Sequence, residues 1–184
     1  YTTHPNEDPI KGIKKMKQTD NFKFDEANVM NELVYRNLSE DAKRQICAWK
    51  YGGEYELYNL PAYEEMQVRQ IGFMNPQREK NYYGFWDKSI LVGFVNILEE
   101  KEEVFIGIGV NPDLCNKHYG QRMLLITYEI SKKLYPDKPL YLEVRTWNIR
   151  AVKCYQKAGF RIDGQAYELT TGIGTGTFYR MIRE

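Results

Sequence analysis

The stretch Leu142-Glu143-Val144-Arg145-Thr146-Trp147-Asn148-Ile149-Arg150-Ala151-Val152-Lys153-Cys154-Tyr155-Gln156-Lys157-Ala158-Gly159-Phe160 decides how this chain is read. It opens inside the stretch 140–146, which follows Pro136 and Pro139 and reads as a buried strand. Asn148 is a favoured N-cap residue type, and Ile149, Val152 and Tyr155 then recur one above another, predicting a helix over 148–158. Gly159 stands where a left-handed C-cap glycine belongs, and Phe160 opens another β-rich run over 160–169. Strand, capped helix, glycine and strand follow one another within thirty residues. That order predicts an α/β domain.

Working upstream, the run Val104–Val110 reads as a strand and 117–134 as a helix with Met123, Ile126, Ile130 and Leu134 on one face. Between them lies Asn111-Pro112-Asp113-Leu114-Cys115-Asn116-Lys117-His118-Tyr119-Gly120-Gln121. A strand that turns directly into a helix leaves several backbone N–H groups without partners. With the positive end of the helix dipole these donors suit an anion, phosphate above all, and Lys117 adds a full charge. Every strand-to-helix turn has such donors, so the feature alone is not specific.

Further out, 33–38 reads as a short strand, and Ser39 caps a helix whose Ala42, Ile46 and Trp49 lead to Gly52-Gly53. Residues 54–59 alternate like a strand, and Pro61 opens a second helical stretch to about Ile71. The runs 81–86, 90–98 and 104–110 are β-rich and joined by turns at Asp87-Lys88 and 99–102, so they should be antiparallel neighbours. A last strand is expected over 176–182. The sum is a mixed, largely antiparallel sheet with helices on its faces. Residues 1–29, polar and carrying a basic run over 11–17, read as an N-terminal extension, and residues 30–184 as the compact domain.

Composition narrows the function classes. With 26 basic against 25 acidic residues the formal charge is +1, which gives no electrostatic reason to expect nucleic acid. Three cysteines without a CxxC pair and two distant histidines make a metal site improbable, and a sparse, odd cysteine count fits a reducing compartment. The apolar runs are too short to span a bilayer, and no signal-peptide pattern opens the chain. The expectation is a cytoplasmic protein without membrane or nucleic-acid partners, monomeric or homodimeric.

The series Asn148, Ala151, Tyr155, Gly159 and Phe160 resembles the N-x-x-A-x-x-x-Y-x-x-x-G-F signature of the GNAT family of N-acetyltransferases at every defining position. The segment from Val110 then falls where that family has its pyrophosphate loop, V-x-P-x-x-[RQ]-G-x-G-x-[GA]. Val110, Pro112 and Gly120 match without a gap. Cys115 stands where Arg or Gln is usual, and Asn116 and His118 replace two glycines. Asn tolerates left-handed backbone, so Asn116 is a mild change. His118 is a larger one: either its imidazole donates to a phosphate or it holds the phosphates off the backbone.

The resemblance implies the family's fold, with two parallel strands splaying apart at the cofactor site. It also implies transfer of an acetyl group from acetyl-coenzyme A to a primary amine, small-molecule or peptide, with no metal. On that pattern the amides of 116–121 (Asn116, Lys117, His118, Tyr119, Gly120, Gln121), with Cys115 and Asn148, hold the cofactor. Ile108, Gly109 and Val110 offer a strand edge to its pantetheine arm and an N–H to the thioester oxygen. Tyr155 protonates the leaving thiolate. Glu103 is the nearest carboxylate to take the amine's proton, one residue off the parity of Val104, Ile106 and Ile108, which a bulge at 107–109 would correct. The aromatic and acidic run 51–58, with Tyr63, Glu64 and Glu65, suits a cationic amine with an apolar portion.

Each residue also has a plainer role: Tyr155 as core packing, Asn148 as helix cap, Glu103 as a turn charge, and Cys154 as a structural residue. Cys115 near a helix start could instead carry an acyl-enzyme, with His118 three positions on as the available base. Direct transfer needs no such intermediate and is the expectation. The competing reading from another class is a coenzyme A-binding sensor of the same fold that does not turn over.

Overall fold

A computed structural model describes residues 33–184. The extension expected over 1–29 and the domain start at Met30 lie outside the described residues. Strand β1 (Val34–Asn37) leads into α1 (Glu40–Ala48), where the Ser39 hydroxyl accepts from the Ala42 amide at 3.2 Å and Glu40 and Asp41 face the dipole. A 3-10 turn over Gly53–Tyr58 and helix α2 (Tyr63–Arg69) follow. The expected strand at 54–59 is therefore a helical turn; its alternating residues pair with no strand among the described residues.

Three strands come next, β2 (Tyr82–Asp87), β3 (Ile90–Glu99) and β4 (Val104–Val110), each antiparallel to the one before. Helix α3 (Tyr119–Leu134), β5 (Leu140–Arg145) and α4 (Ile149–Lys157) complete the segment that the sequence made most legible. The single run expected over 160–169 is two strands, β6 (Arg161–Ile162) and β7 (Tyr167–Thr171), both pairing with β8 (Gly174–Arg183). The sheet runs β1-β2-β3-β4-β5-β8-β6, with β7 on β8. β4 and β5 are its parallel pair.

Two apolar clusters flank the sheet. Under α3 and α4, Met123, Leu124 and Ile130 pack with Val95, Ile106, Leu142, Val144 and Val152. On the opposite face Ala42 and Ile46 of α1 and Met66 of α2 pack with Phe73, Tyr82, Trp86 and Leu91. Each fully buried side chain of this size contributes about 2 kcal/mol, so these two clusters hold the helices on the sheet. Leu134, expected on the buried face of α3, is 42% exposed at its last turn.

The β4–β5 pairing stops early. Val104 is opposite Leu140 and Phe105 opposite Tyr141, and beyond them the two strands part. The β3–β4 register runs from Glu99–Val104 to Gly93–Val110 without a shift, so β4 has no bulge at 107–109 to correct the parity of Glu103. The irregularity lies instead at Phe85/Trp86, between β2 and β3.

Candidate active site

Where β4 and β5 part, the residues around the gap enclose a cavity of about 600 Å³. The Val104 amide donates to the Pro139 carbonyl at 2.9 Å, on the β5 side of β4. The two-residue period of a strand turns Ile106, Ile108 and Val110 toward that same side. Past the last β5 pair, the Ile108 and Val110 edge therefore faces the gap. The Val110 carbonyl is already taken: the Tyr51 hydroxyl donates to it at 2.6 Å. Burial pushes the Tyr51 phenol well above its ordinary pKa, so it remains a donor.

The loop between β4 and α3 closes one end of the cavity. Asn111 accepts from the Asp113 amide at 3.0 Å, and a 3-10 turn over Pro112–Leu114 brings the chain to α3. Asn116 and His118 have φ of 63° and 64°, the left-handed backbone that glycine adopts most readily. The loop thus keeps a glycine-like path without its glycines. His118 is the N-cap of α3 and makes no side-chain cap bond. Gly120 is needed for close packing rather than for φ: a Cβ there would stand 3.0 Å from Cys154 Sγ.

Helix α4 supplies the third wall. Asn148 is buried; its side-chain oxygen accepts from the Ala151 amide at 3.2 Å and its Nδ2 donates to the Tyr58 hydroxyl at 3.3 Å. The capping role is therefore real. Tyr155 is half-buried, its ring packed against the core under α3, and its hydroxyl makes no hydrogen bond among the described residues. Burial raises the Tyr155 phenol pKa, keeping it protonated throughout the neutral range. Burial also raises the Cys115 and Cys154 thiols. Neither is poised as a thiolate, and the Cys115 thiol lies 3.7 Å from the Asn111 carbonyl as a weak donor.

Of the residues singled out from sequence, Ile108, Gly109, Val110, Cys115, Asn116, His118, Tyr119, Gly120, Asn148 and Tyr155 line this one cavity. Three do not. Lys117 is exposed, the Gln121 side-chain amide donates to the Lys157 carbonyl at 3.4 Å, and Glu103 is held elsewhere. Both Glu103 oxygens accept from the Arg180 guanidinium, one of them at 3.0 Å. With no bulge in β4 to re-aim it, nothing turns Glu103 into the gap. Of the aromatic and acidic wall, Tyr51 and Tyr58 reach the cavity. Tyr63 instead donates to Glu40 under the Arg44 guanidinium, and Glu64 and Glu65 pair with Arg44 and Arg69.

Sequence reasoning missed Glu143 and Arg145, which line the cavity from β5. Glu143 accepts from the Tyr167 hydroxyl at 2.6 Å, and Arg145 is 8% exposed. Their one sequence signal is parity: charged residues alternate with Leu142 and Val144 in a strand that otherwise reads as buried. At the rim, Trp147 packs between Tyr55 and Tyr58 at 5.7 and 6.1 Å, and Arg150 lies over Tyr55 at 4.0 Å. Among the described residues no group of three or more His, Cys, Asp or Glu could hold a metal ion, and no helix is long and apolar enough to cross a membrane.

Solved structures similar to this chain share its architecture. A spermidine N-acetyltransferase chimera from Vibrio cholerae and hSSAT superposes with a TM-score of 0.65 at 19% identity, over 82% of this chain and 93% of that one. A GNAT-family acetyltransferase from Bacillus anthracis gives 0.64 at 15%, over 82% and 93%. An aminoglycoside acetyltransferase in complex with coenzyme A gives 0.63 at 17%, over 83% and 94%. At such identities the likeness concerns the fold. No match to a curated protein reaches significance. The sequence model of the acetyltransferase (GNAT) family matches residues 44–160, which contain the parted strands, the loop before α3 and the whole of α4. On that match the chain belongs to the GNAT acetyltransferase family.

Proposed function

We propose that this protein transfers an acetyl group from acetyl-coenzyme A directly to a primary amine. The observation that carries the reading is the convergence on one cavity of the open Ile108–Val110 edge, the left-handed loop at the start of α3, and Tyr155. When bound, acetyl-coenzyme A supplies the activated thioester. This chain's part is to bind, orient and move protons. The amides at the start of α3, with Asn116, His118 and Gly120, suit the pyrophosphate. The Ile108 and Val110 edge suits the peptide-like pantetheine arm, and a Val110 N–H the developing oxyanion. The Tyr155 phenol, kept protonated by burial, gives its proton to the departing sulfur.

For the amine's proton we assign Glu143 rather than Glu103. Glu143 lines the cavity, whereas both oxygens of Glu103 are taken by Arg180. Direct transfer is favoured over an acyl-enzyme because burial raises the Cys115 thiol pKa.

The test is release of free thiol from acetyl-coenzyme A, measured over a panel of polyamines, aminoglycosides, amino acids and peptides. Coenzyme A should raise the melting temperature with concentration, as mass action requires. A coenzyme A-dependent shift with no thiol released to any amine supports the sensor reading instead. No shift at millimolar coenzyme A refutes both.

A further inference from the structure

Among the described residues, Arg145 is a buried cation with no anionic partner. It is 8% exposed, its Nε has no hydrogen-bond partner, and it makes no ion pair among the described residues. Its guanidinium lies over the Phe178 ring at 4.9 Å from the centroid. Space is made for it: a Cβ on Gly176 would stand 2.0 Å from its Nη1. A guanidinium held this far from water is unfavourable unless something pairs with it. A ring face offsets only a part of that. The missing partner is an anion, and the cavity that Arg145 lines is where one can reach it.

The strand decides which anion. Leu142 and Val144 pack beneath α3 with Met123 and Leu124, so Glu143 and Arg145 turn to the other face of the sheet. The loop suited to the pyrophosphate belongs to the α3 side. The anion that Arg145 pairs with is thus not the one bound at the start of α3. On its own face Arg145 stands two residues from Glu143, about 6.6 Å along the strand. Among the described residues that line the cavity, Glu143 is the one carboxylate.

We infer that the acceptor is a primary amine that also carries a carboxylate, an amino acid or the end of a peptide, with Arg145 binding the carboxylate and Glu143 facing the amine. This rests on the acetyl-transfer reading above and narrows it. A wholly cationic acceptor, such as a polyamine, would set like charge against Arg145. A planar guanidinium instead binds a carboxylate through two parallel hydrogen bonds.

The experiment compares matched amines on the full chain: tyrosine with tyramine, lysine with 1,5-diaminopentane, and the dipeptide glycyl-tyrosine with its C-terminal amide. Thiol release should favour the carboxylate member by about 10- to 100-fold in kcat/KM. The first two pairs against the third separate a free amino acid from a peptide end. In Arg145→Met the ratio should fall to about one, and in Arg145→Lys it should be partly kept. A second readout does not need turnover. On protein saturated with coenzyme A, calorimetry should show N-acetyltyrosine binding more tightly than N-acetyltyramine, again only with Arg145 in place. If no amine is acetylated but this binding preference holds, the transfer reading fails and the anion site stands. Equal or reversed preference in both readouts overturns the inference. So does an Arg145→Met effect confined to the affinity for coenzyme A.

Discussion

Replacing Tyr155 by Phe removes one oxygen and leaves the ring where it packs. The hydroxyl makes no hydrogen bond among the described residues, so its loss strands no buried partner, and stability should change by less than about 1 kcal/mol. The kinetic effect should be far larger. A positioned general acid contributes on the order of 10²–10⁴ in rate, about 3–5 kcal/mol of barrier. We therefore expect kcat to fall by at least roughly 100-fold while the Kd for acetyl-coenzyme A stays within about threefold. The pH profile carries the sign. A phenol whose pKa is raised by burial stays protonated as pH rises, so the wild-type kcat should show no alkaline fall from this group below pH of about 10. The assay is thiol release under single-turnover conditions, with calorimetry for binding and a melting curve for stability. Cys115→Ala, measured alongside, should keep most activity, since its thiol pKa is raised as well. Wild-type turnover in Tyr155→Phe together with a dead Cys115→Ala would refute direct transfer and install the acyl-enzyme in its place.

Glu143→Gln should lower kcat/KM by about 100-fold, whereas Glu103→Gln should keep turnover and lose about 1 kcal/mol of stability through Arg180; the reverse pattern restores Glu103 as base. His118→Gly leaves a backbone already at φ 64° on its path and removes only the imidazole, so the Kd for coenzyme A should rise by roughly 3- to 10-fold. Tighter binding in calorimetry would mean that the side chain crowds the phosphates. Gly120→Ala places a Cβ 3.0 Å from Cys154 Sγ and should cost about 1 kcal/mol by forcing α3 from α4. Cys154→Ala should relieve that cost in the double variant, and additive losses in denaturant melts would show that the two residues do not meet.

The residues from Val104 to Phe160 determined by themselves most of what identifies this protein. Periodicity, the Asn148 cap and Gly159 all act over a few residues, so the order β4, α3, β5, α4 is legible without any partner in view. Asn116 and His118, marked as departures from glycine, take the left-handed backbone that glycine would have taken, because the turn into α3 requires it. The run 54–59 shows the limit: alternation makes a strand only when a neighbour offers hydrogen bonds, and among the described residues no strand pairs with it; the chain closes into a 3-10 turn. Glu103 shows it again. Its role depends on Arg180, seventy-seven residues away, and on a β4 register that carries no bulge. The same holds for Tyr51 on the Val110 carbonyl and for Tyr58 on Asn148, fifty-nine and ninety residues apart. Glu143 and Arg145 look, in sequence, like two charges in a strand. Only the parting of β4 from β5, together with Gly176 and Phe178 across β8, gives them a cavity to face, because a side chain's chemistry is set by what the fold leaves beside it.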